Sequence, residues 1–156
     1  MLPNAAKSQV VTPPRGALSG ARAKRPIFKK ILLPIDFDRI SIPAVKLAQT
    51  IARENDASVY VLYAVPTALR AQLDQLAEKN LLAIARKWFE GKVRNQVVVR
   101  SGKPVETVLK AADELGVDLV VMATHGRVGA KRARLGSVTE EVVRRATCPV
   151  LTIHPG

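Results

Sequence analysis

The residues best placed to do chemistry lie between Ala123 and Ser137. Ala123, Gly126, Gly136 and Ser137 bracket a segment that carries Arg127, Lys131, Arg132 and Arg134 and no acidic side chain. Glycine has no Cβ, so a phosphate oxygen can approach its backbone closely. The four cations supply the opposite charge. A helical pattern follows, with Val138, Val142 and Val143 on one side. The amino end of a helix offers unpaired N–H groups and the positive end of its dipole to an anion. The chemistry described by this spacing is the holding of a phosphate by main-chain amides. The same succession of strand, glycine, loop, glycine-serine and helix also turns a chain through a corner, and basic loops are often only solvated. The residues by themselves leave both readings open.

Asp36 is the second candidate. It follows Lys30-Ile31-Leu32-Leu33-Pro34-Ile35 directly, at the carboxyl end of an expected strand, where open α/β sheets bind ligands. It also suits an ordinary turn or helix start. His125 reads as a turn residue, because no carboxylate or cysteine adjoins it in sequence. Two histidines, His125 and His154, are too few for a typical metal cluster. The single cysteine, Cys148, excludes an internal disulfide framework and a Cys-based zinc site. No nucleophile–base pair, metal triad or general base stands beside the glycines, so the pattern is one of binding rather than of catalysis.

Such residues need rigid elements to hold them, and the sequence alternates strands with helices. The apolar run Leu119 to Ala123 is short and valine-rich, which predicts a strand covered on both faces, as in a parallel sheet. Phe28 to Ile35, Ala57 to Val65, Val93 to Arg100 and Val150 to Ile153 read the same way. Between the first two, Ser41 is expected to cap a helix with Pro43 in its first turn, with Val45, Leu47, Ala48, Ile51 and Ala52 inward and Asn55 at its end. Pro66-Thr67 opens a longer helix whose inner face is read as Leu69, Leu73, Leu76, Ile84 and Trp88, closed by Gly91. Ser101-Gly102-Lys103-Pro104 turns into a third, with Val105, Val108, Leu109, Ala112 and Leu115 inward and Gly116 terminating it. Ser137 and Glu140 stand in the S-x-x-E relation of a capping box, so Ser137 is expected to cap the fourth. Cys148-Pro149 then breaks the chain. The alternation predicts an α/β fold: a doubly wound five-stranded parallel sheet with four helices, flavodoxin- or Rossmann-like.

A chain of 156 residues that is 47% apolar forms one domain with a sizeable core. No apolar run approaches a membrane span of about 18 residues, and the start lacks a secretory pattern, so a cytoplasmic protein is expected. The net charge of +12 is uneven. Residues 1–30 hold seven basic side chains and no acid, so the other 126 carry +5 from 18 basic and 13 acidic groups. Residues 1–26 include Pro3, Pro13, Pro14, Gly16, Gly20 and Pro26. They read as a flexible basic extension ahead of a domain spanning 27–156. Nucleic acid is a candidate partner only through that extension, with a solubilising tail as the plainer reading.

Taken together, these blocks resemble the universal stress protein family, of adenine-nucleotide α-hydrolase-like fold. Lys30-Ile31-Leu32-Leu33-Pro34-Ile35-Asp36-Phe37 is similar to its opening strand and acidic turn. Val120-Val121-Met122-Ala123-Thr124-His125-Gly126-Arg127 is similar to its fourth strand and loop. Gly136-Ser137-Val138-Thr139-Glu140 and Cys148-Pro149-Val150-Leu151 are similar to its closing helix and strand. The resemblance covers about residues 28 to 154. Its ATP-binding branch carries Gly-x-x-Gly-x9-Gly-Ser/Thr, and here Ala123, Gly126, Gly136 and Ser137 occupy those positions.

The resemblance implies an ATP-binding stress-response or regulatory module. Gly126, Gly136 and Ser137 would hold the phosphates, with magnesium able to bridge them. Asp36 would stand by the ribose, and Ile35 and the backbone of Ala64 or Val65 by the adenine; Arg127 is added for its charge and place. It further implies a homodimer paired through Val150, Leu151, Thr152 and Ile153, and at most slow ATP hydrolysis. The departure is Ala123 in place of the first glycine, which puts a methyl near the ribose. That departure keeps a second reading open, a dimeric scaffold that binds no nucleotide and acts through protein partners.

Overall fold

The computed structural model describes residues 10–11, 26–36, 42–67, 70–124 and 136–154. Each valine-rich run is a strand and each patterned run between them a helix. In chain order the elements are β1 (Val10–Val11), β2 (Lys30–Pro34), α1 (Ile42–Asn55), β3 (Ser58–Val65), α2 (Arg70–Phe89), β4 (Arg94–Ser101), α3 (Pro104–Leu115), β5 (Leu119–Ala123), α4 (Ser137–Arg145) and β6 (Val150–Ile153). The sheet order is β1-β4-β3-β2-β5-β6. β2 to β6 form the expected five parallel strands. Their order is the Rossmann order without its sixth strand: the first strand lies central and the later strands add outward on each side, whereas flavodoxin sheets are ordered differently. β1 adds a short antiparallel pairing to the outer edge of β4, Val10 opposite Gln96 and Val11 opposite Asn95.

Alternation along the strands divides the core in two. Ile31, Leu33, Val59, Val61, Leu119 and Val121 point to one face and are covered by α1 and α2. Leu32, Leu62, Val98, Val120 and Met122 point to the other and are covered by α3 and α4. β2, β3 and β5 are thus apolar on both sides, which is why their sequences show runs rather than alternation. Phe89, Leu81, Ile31 and Leu62 are fully buried, and each such side chain stabilises the fold by about 1.5–3 kcal/mol.

α1 buries Ala44, Val45, Ala48 and Ala52, with Leu47 and Ile51 packed beside them. Gly116 terminates α3 in the left-handed region (φ 60°, ψ 47°), a conformation that glycine adopts without Cβ strain. α2 departs from the expectation. Its buried stripe is Ala77, Leu81, Ala85 and Phe89, while Leu76 is half exposed and Ile84 and Trp88 are only partly covered. The stripe runs at a strict spacing of four, and its alanines let the helix lie close to the sheet. The expected Leu76, Ile84 and Trp88 each lie one residue before it. The expected Ser41 cap, Leu69 and the Leu73 side chain lie outside the described residues.

The chain joins the sheet under tight control. The Asn55 carboxamide oxygen accepts the N–H groups of Ile27 (3.0 Å) and Phe28 (3.4 Å). The Asp118 carboxylate accepts those of Lys29 (2.9 Å) and Lys30 (3.2 Å). Two side chains therefore satisfy four consecutive amides just where β2 begins.

Candidate functional site

The sheet opens at its switch point for a reason that can be traced to one residue. β2 pairs with β3 on one side and with β5 on the other. The Ile35 N–H donates to the Leu62 carbonyl of β3 (2.9 Å). Since main-chain groups alternate sides along a strand, residue 34 faces β5, and Pro34 has no N–H to offer. Accordingly the β2–β5 ladder runs only through Ile31–Leu119 and Leu32–Val120, whereas β2 and β3 stay paired up to Pro34–Leu62. Beyond Leu32 the central strands part at their carboxyl ends, the place where open α/β sheets take ligands.

A cleft of about 470 Å³ fills that gap, within the usual range for small-molecule sites. Its apolar floor includes Leu33, Leu62, Val108 and Met122, and its rim includes Asp36, Pro66, Pro104 and Ser137. Of the residues singled out in the sequence, Ile35, Asp36, Ala64, Ala123, Gly136 and Ser137 are brought together here. Val65 is not: its side chain is fully buried and its carbonyl accepts the Gly102 N–H (2.9 Å). Gly126, Arg127, His125 and the cations Lys131, Arg132 and Arg134 lie outside the described residues. Sequence reasoning missed Tyr63, Pro104, Val108, Met122 and Val138. Their signal is positional, since each sits at the carboxyl end of a strand or in the first turns of a helix.

The Ser137 capping box does not form. Ser137 is the first helical residue of α4, Gly136 occupies the cap position with φ −59° and ψ 151°, and among the described residues no side chain caps the helix. The first helical bond runs from the Glu140 N–H to the Gly136 carbonyl (2.9 Å). The leading amides of α4 are thereby left facing the cleft rim, as helix geometry requires of an uncapped amino end. Thr139, 1% exposed, turns its hydroxyl inward instead and donates to the Ala123 carbonyl (3.2 Å). The Ala123 methyl falls on the face of Leu119 and Val121 and packs against the α1–α2 core, so part of it is taken up by the protein interior.

The turn before α3 is fixed by Gly102. Its φ of +148° disfavours other residues, and a Cβ there would come within 2.7 Å of the Thr107 hydroxyl. This holds Pro104 at the rim and Val108 in the floor. At the far end, Arg145 of α4 donates two hydrogen bonds to Glu106 of α3 (2.8 and 3.1 Å). Those bonds hold the Glu106 carboxyl below the usual carboxylate range and push Arg145 up. Burial pushes the Cys148 thiol up, which suits a packing residue rather than a reactive thiolate. Among the described residues no cluster of three or more His, Cys, Asp or Glu could hold a metal ion. No described helix is long and apolar enough to cross a membrane.

Known proteins share this architecture and sequence. The universal stress protein family model matches residues 27–154. The universal stress protein MJ0531 of Methanocaldococcus jannaschii is 33% identical over 143 residues, covering 81% of this chain and 82% of its own. Among solved structures, that of M. jannaschii MJ0577 superposes with a TM-score of 0.72 at 26% identity, over 83% of this chain and 98% of that one. A universal stress protein from Archaeoglobus fulgidus in complex with dAMP gives a TM-score of 0.59 at 25% identity, over 81% and 98%. The matches span most of this chain and of each relative, and the chain belongs to the universal stress protein family.

Proposed function

We propose that the cleft binds an adenine nucleotide, ATP with magnesium bridging its phosphates, and that the protein acts as a nucleotide-responsive stress module. The observation that carries this reading is the convergence of Ile35, Asp36, Ala64, Ala123, Gly136 and Ser137 on one cleft at the parted ends of β2 and β5. The apolar floor suits a base. Asp36, exposed at the rim, suits ribose hydroxyls and would be an acid available to a bridging cation. Gly136 and Ser137 suit phosphates through the leading amides of α4, with Gly126 and Arg127 completing the cradle by family resemblance. Of the two backbone positions expected at the base beside Ile35, Ala64 is retained and Val65 set aside, since its carbonyl is taken by the Gly102 N–H. The dAMP complex of the A. fulgidus relative supports an adenine nucleotide in such a cleft.

A homodimer through β6 belongs to the same reading. Among the described residues β6 is hydrogen-bonded to a strand on one side only, to β5. Leu151 on the strand and Val143 on α4 are exposed hydrophobics, and an unpaired edge of this kind is a template for another chain.

Titration calorimetry of nucleotide-free protein with ATP, AMP and cyclic AMP, with and without magnesium, tests the proposal. Micromolar ATP binding is expected. Absence of heat and of any thermal shift with all three would transfer the function to a scaffold that acts through protein partners.

A further inference from the structure

The parting of β2 from β5 leaves a main-chain acceptor without a strand. The N–H groups of Val120 and Thr124 donate to the β6 side, to the carbonyls of Pro149 (3.0 Å) and Ile153 (2.8 Å). By alternation, the carbonyl of Ala123 faces β2, which is no longer paired at that level. Even a partly buried carbonyl with no donor costs stability. The Thr139 hydroxyl supplies the donor at 3.2 Å. Thr139 stands in the first turn of α4, two residues after Ser137, and is fully packed. This bond therefore inserts the amino end of α4 into the gap that the missing β2 ladder has opened. Thr124 anchors the other side, with its N–H on Ile153 and its hydroxyl 3.1 Å from Nδ1 of His154.

We propose that Thr139 is a positioning residue for ligand phosphates: by taking the stranded Ala123 carbonyl, it sets where the uncapped amides of α4 stand in the cleft. The inference rests on the nucleotide reading above. It concerns the phosphate end alone, because the apolar floor is built from β2, β3, β5 and α3.

The test compares ATP with adenosine on the full chain. Thr139→Val keeps the shape and loses the hydroxyl, and Thr139→Ser keeps the hydroxyl. Thr139→Val is expected to weaken ATP about tenfold, the worth of one hydrogen bond, and adenosine less than about threefold. Thr139→Ser is expected to bind ATP within about threefold of the native chain. Equal loss of ATP and adenosine in Thr139→Val would indicate a merely structural role and overturn the proposal, as would unchanged ATP affinity. If Thr139→Val does not fold, a folded Thr139→Ser that has lost ATP affinity overturns it equally. If the native chain binds neither ligand, the nucleotide reading falls. Amide exchange then decides the positioning: faster exchange at Glu140 in Thr139→Val supports it, and an unchanged rate sinks it.

Discussion

Two helices begin at the rim of one cleft and present opposite chemistry to it. α3 follows Lys103 at φ −67° and ψ 134°, and α4 follows Gly136 at φ −59° and ψ 151°. The approach geometry is nearly the same, and among the described residues neither helix has a side-chain cap. Both bring the positive end of a dipole. The difference lies in the first helical residue. Pro104 has no N–H and offers a flat apolar ring, whereas Ser137 offers an N–H and a hydroxyl behind a glycine that leaves the approach open. A dipole is common to every helix start, but donors with room in front of them are not. α3 is accordingly suited to a base or sugar, and α4 to phosphates.

That contrast breaks most completely at Gly136. Its φ is open to any residue, so Gly136→Val should leave the thermal midpoint nearly unchanged. Its branched side chain should nevertheless cost ATP about 2–3 kcal/mol, roughly a hundredfold in affinity. Undiminished ATP heat in calorimetry would move the phosphates away from α4. Next is Ser137→Pro, which gives α4 the start that α3 has. Proline is tolerated at a first helical position, and the extended ψ of Gly136 already suits a residue before proline. Far-UV circular dichroism should not change, while ATP affinity falls roughly tenfold. The reverse exchange, Pro104→Ala, adds a donor at α3 without an anion to meet it. It should alter ATP affinity by less than about threefold and lower stability by about 0.4–1 kcal/mol in urea titration, because the unfolded chain gains freedom.

The smallest effect concerns what holds the two helices together. Arg145 depresses the Glu106 carboxyl by hydrogen bonding it. A carboxylate whose folded value lies below its unfolded value stabilises at pH above the unfolded value. That stabilisation disappears as pH falls through the folded value. Glu106→Gln should therefore be slightly less stable than the native chain at neutral pH. The gap should close below the ordinary glutamate value of 4.5. The pair is fully exposed, so the difference is small; parallel melts at pH 7 and pH 3 would reveal it, and an identical gap at both would exclude the ion pair as its source.

The fold was legible because strands buried on two faces must be continuous apolar runs, and because Pro104, Gly116 and Cys148-Pro149 punctuate the chain where local backbone rules demand it. What depended on distance was less so. The α2 stripe was misplaced because Ala77 and Ala85 look unremarkable in sequence, yet they are what lets the helix approach the sheet. The capping box failed because Ser137 is already the first helical residue and Gly136 holds the cap position. Asp36 was readable as a strand end and Gly136 and Ser137 as a helix start, whereas Ile35, Ala64 and the place of Ala123 came from the family resemblance. Pro104 and Val108 carry only a positional signal, the first turns of a helix, and it is the strand order that brings them to this cleft. Pro34 was read as part of a strand; its missing N–H matters only once β5 is known to lie on that side.

The clamps by Asn55 and Asp118 have a consequence for everything upstream. They grip residues 27 to 30 at the amino end of β2, whereas the cleft opens at the other end, five strand residues away, about 16 Å at the usual rise. The one upstream pairing that is described, Val10–Val11 on Asn95 and Gln96, also falls at the amino end of its strand. Whatever lineage or engineer attaches ahead of Pro26 is thus hitched to the opposite pole from the cleft.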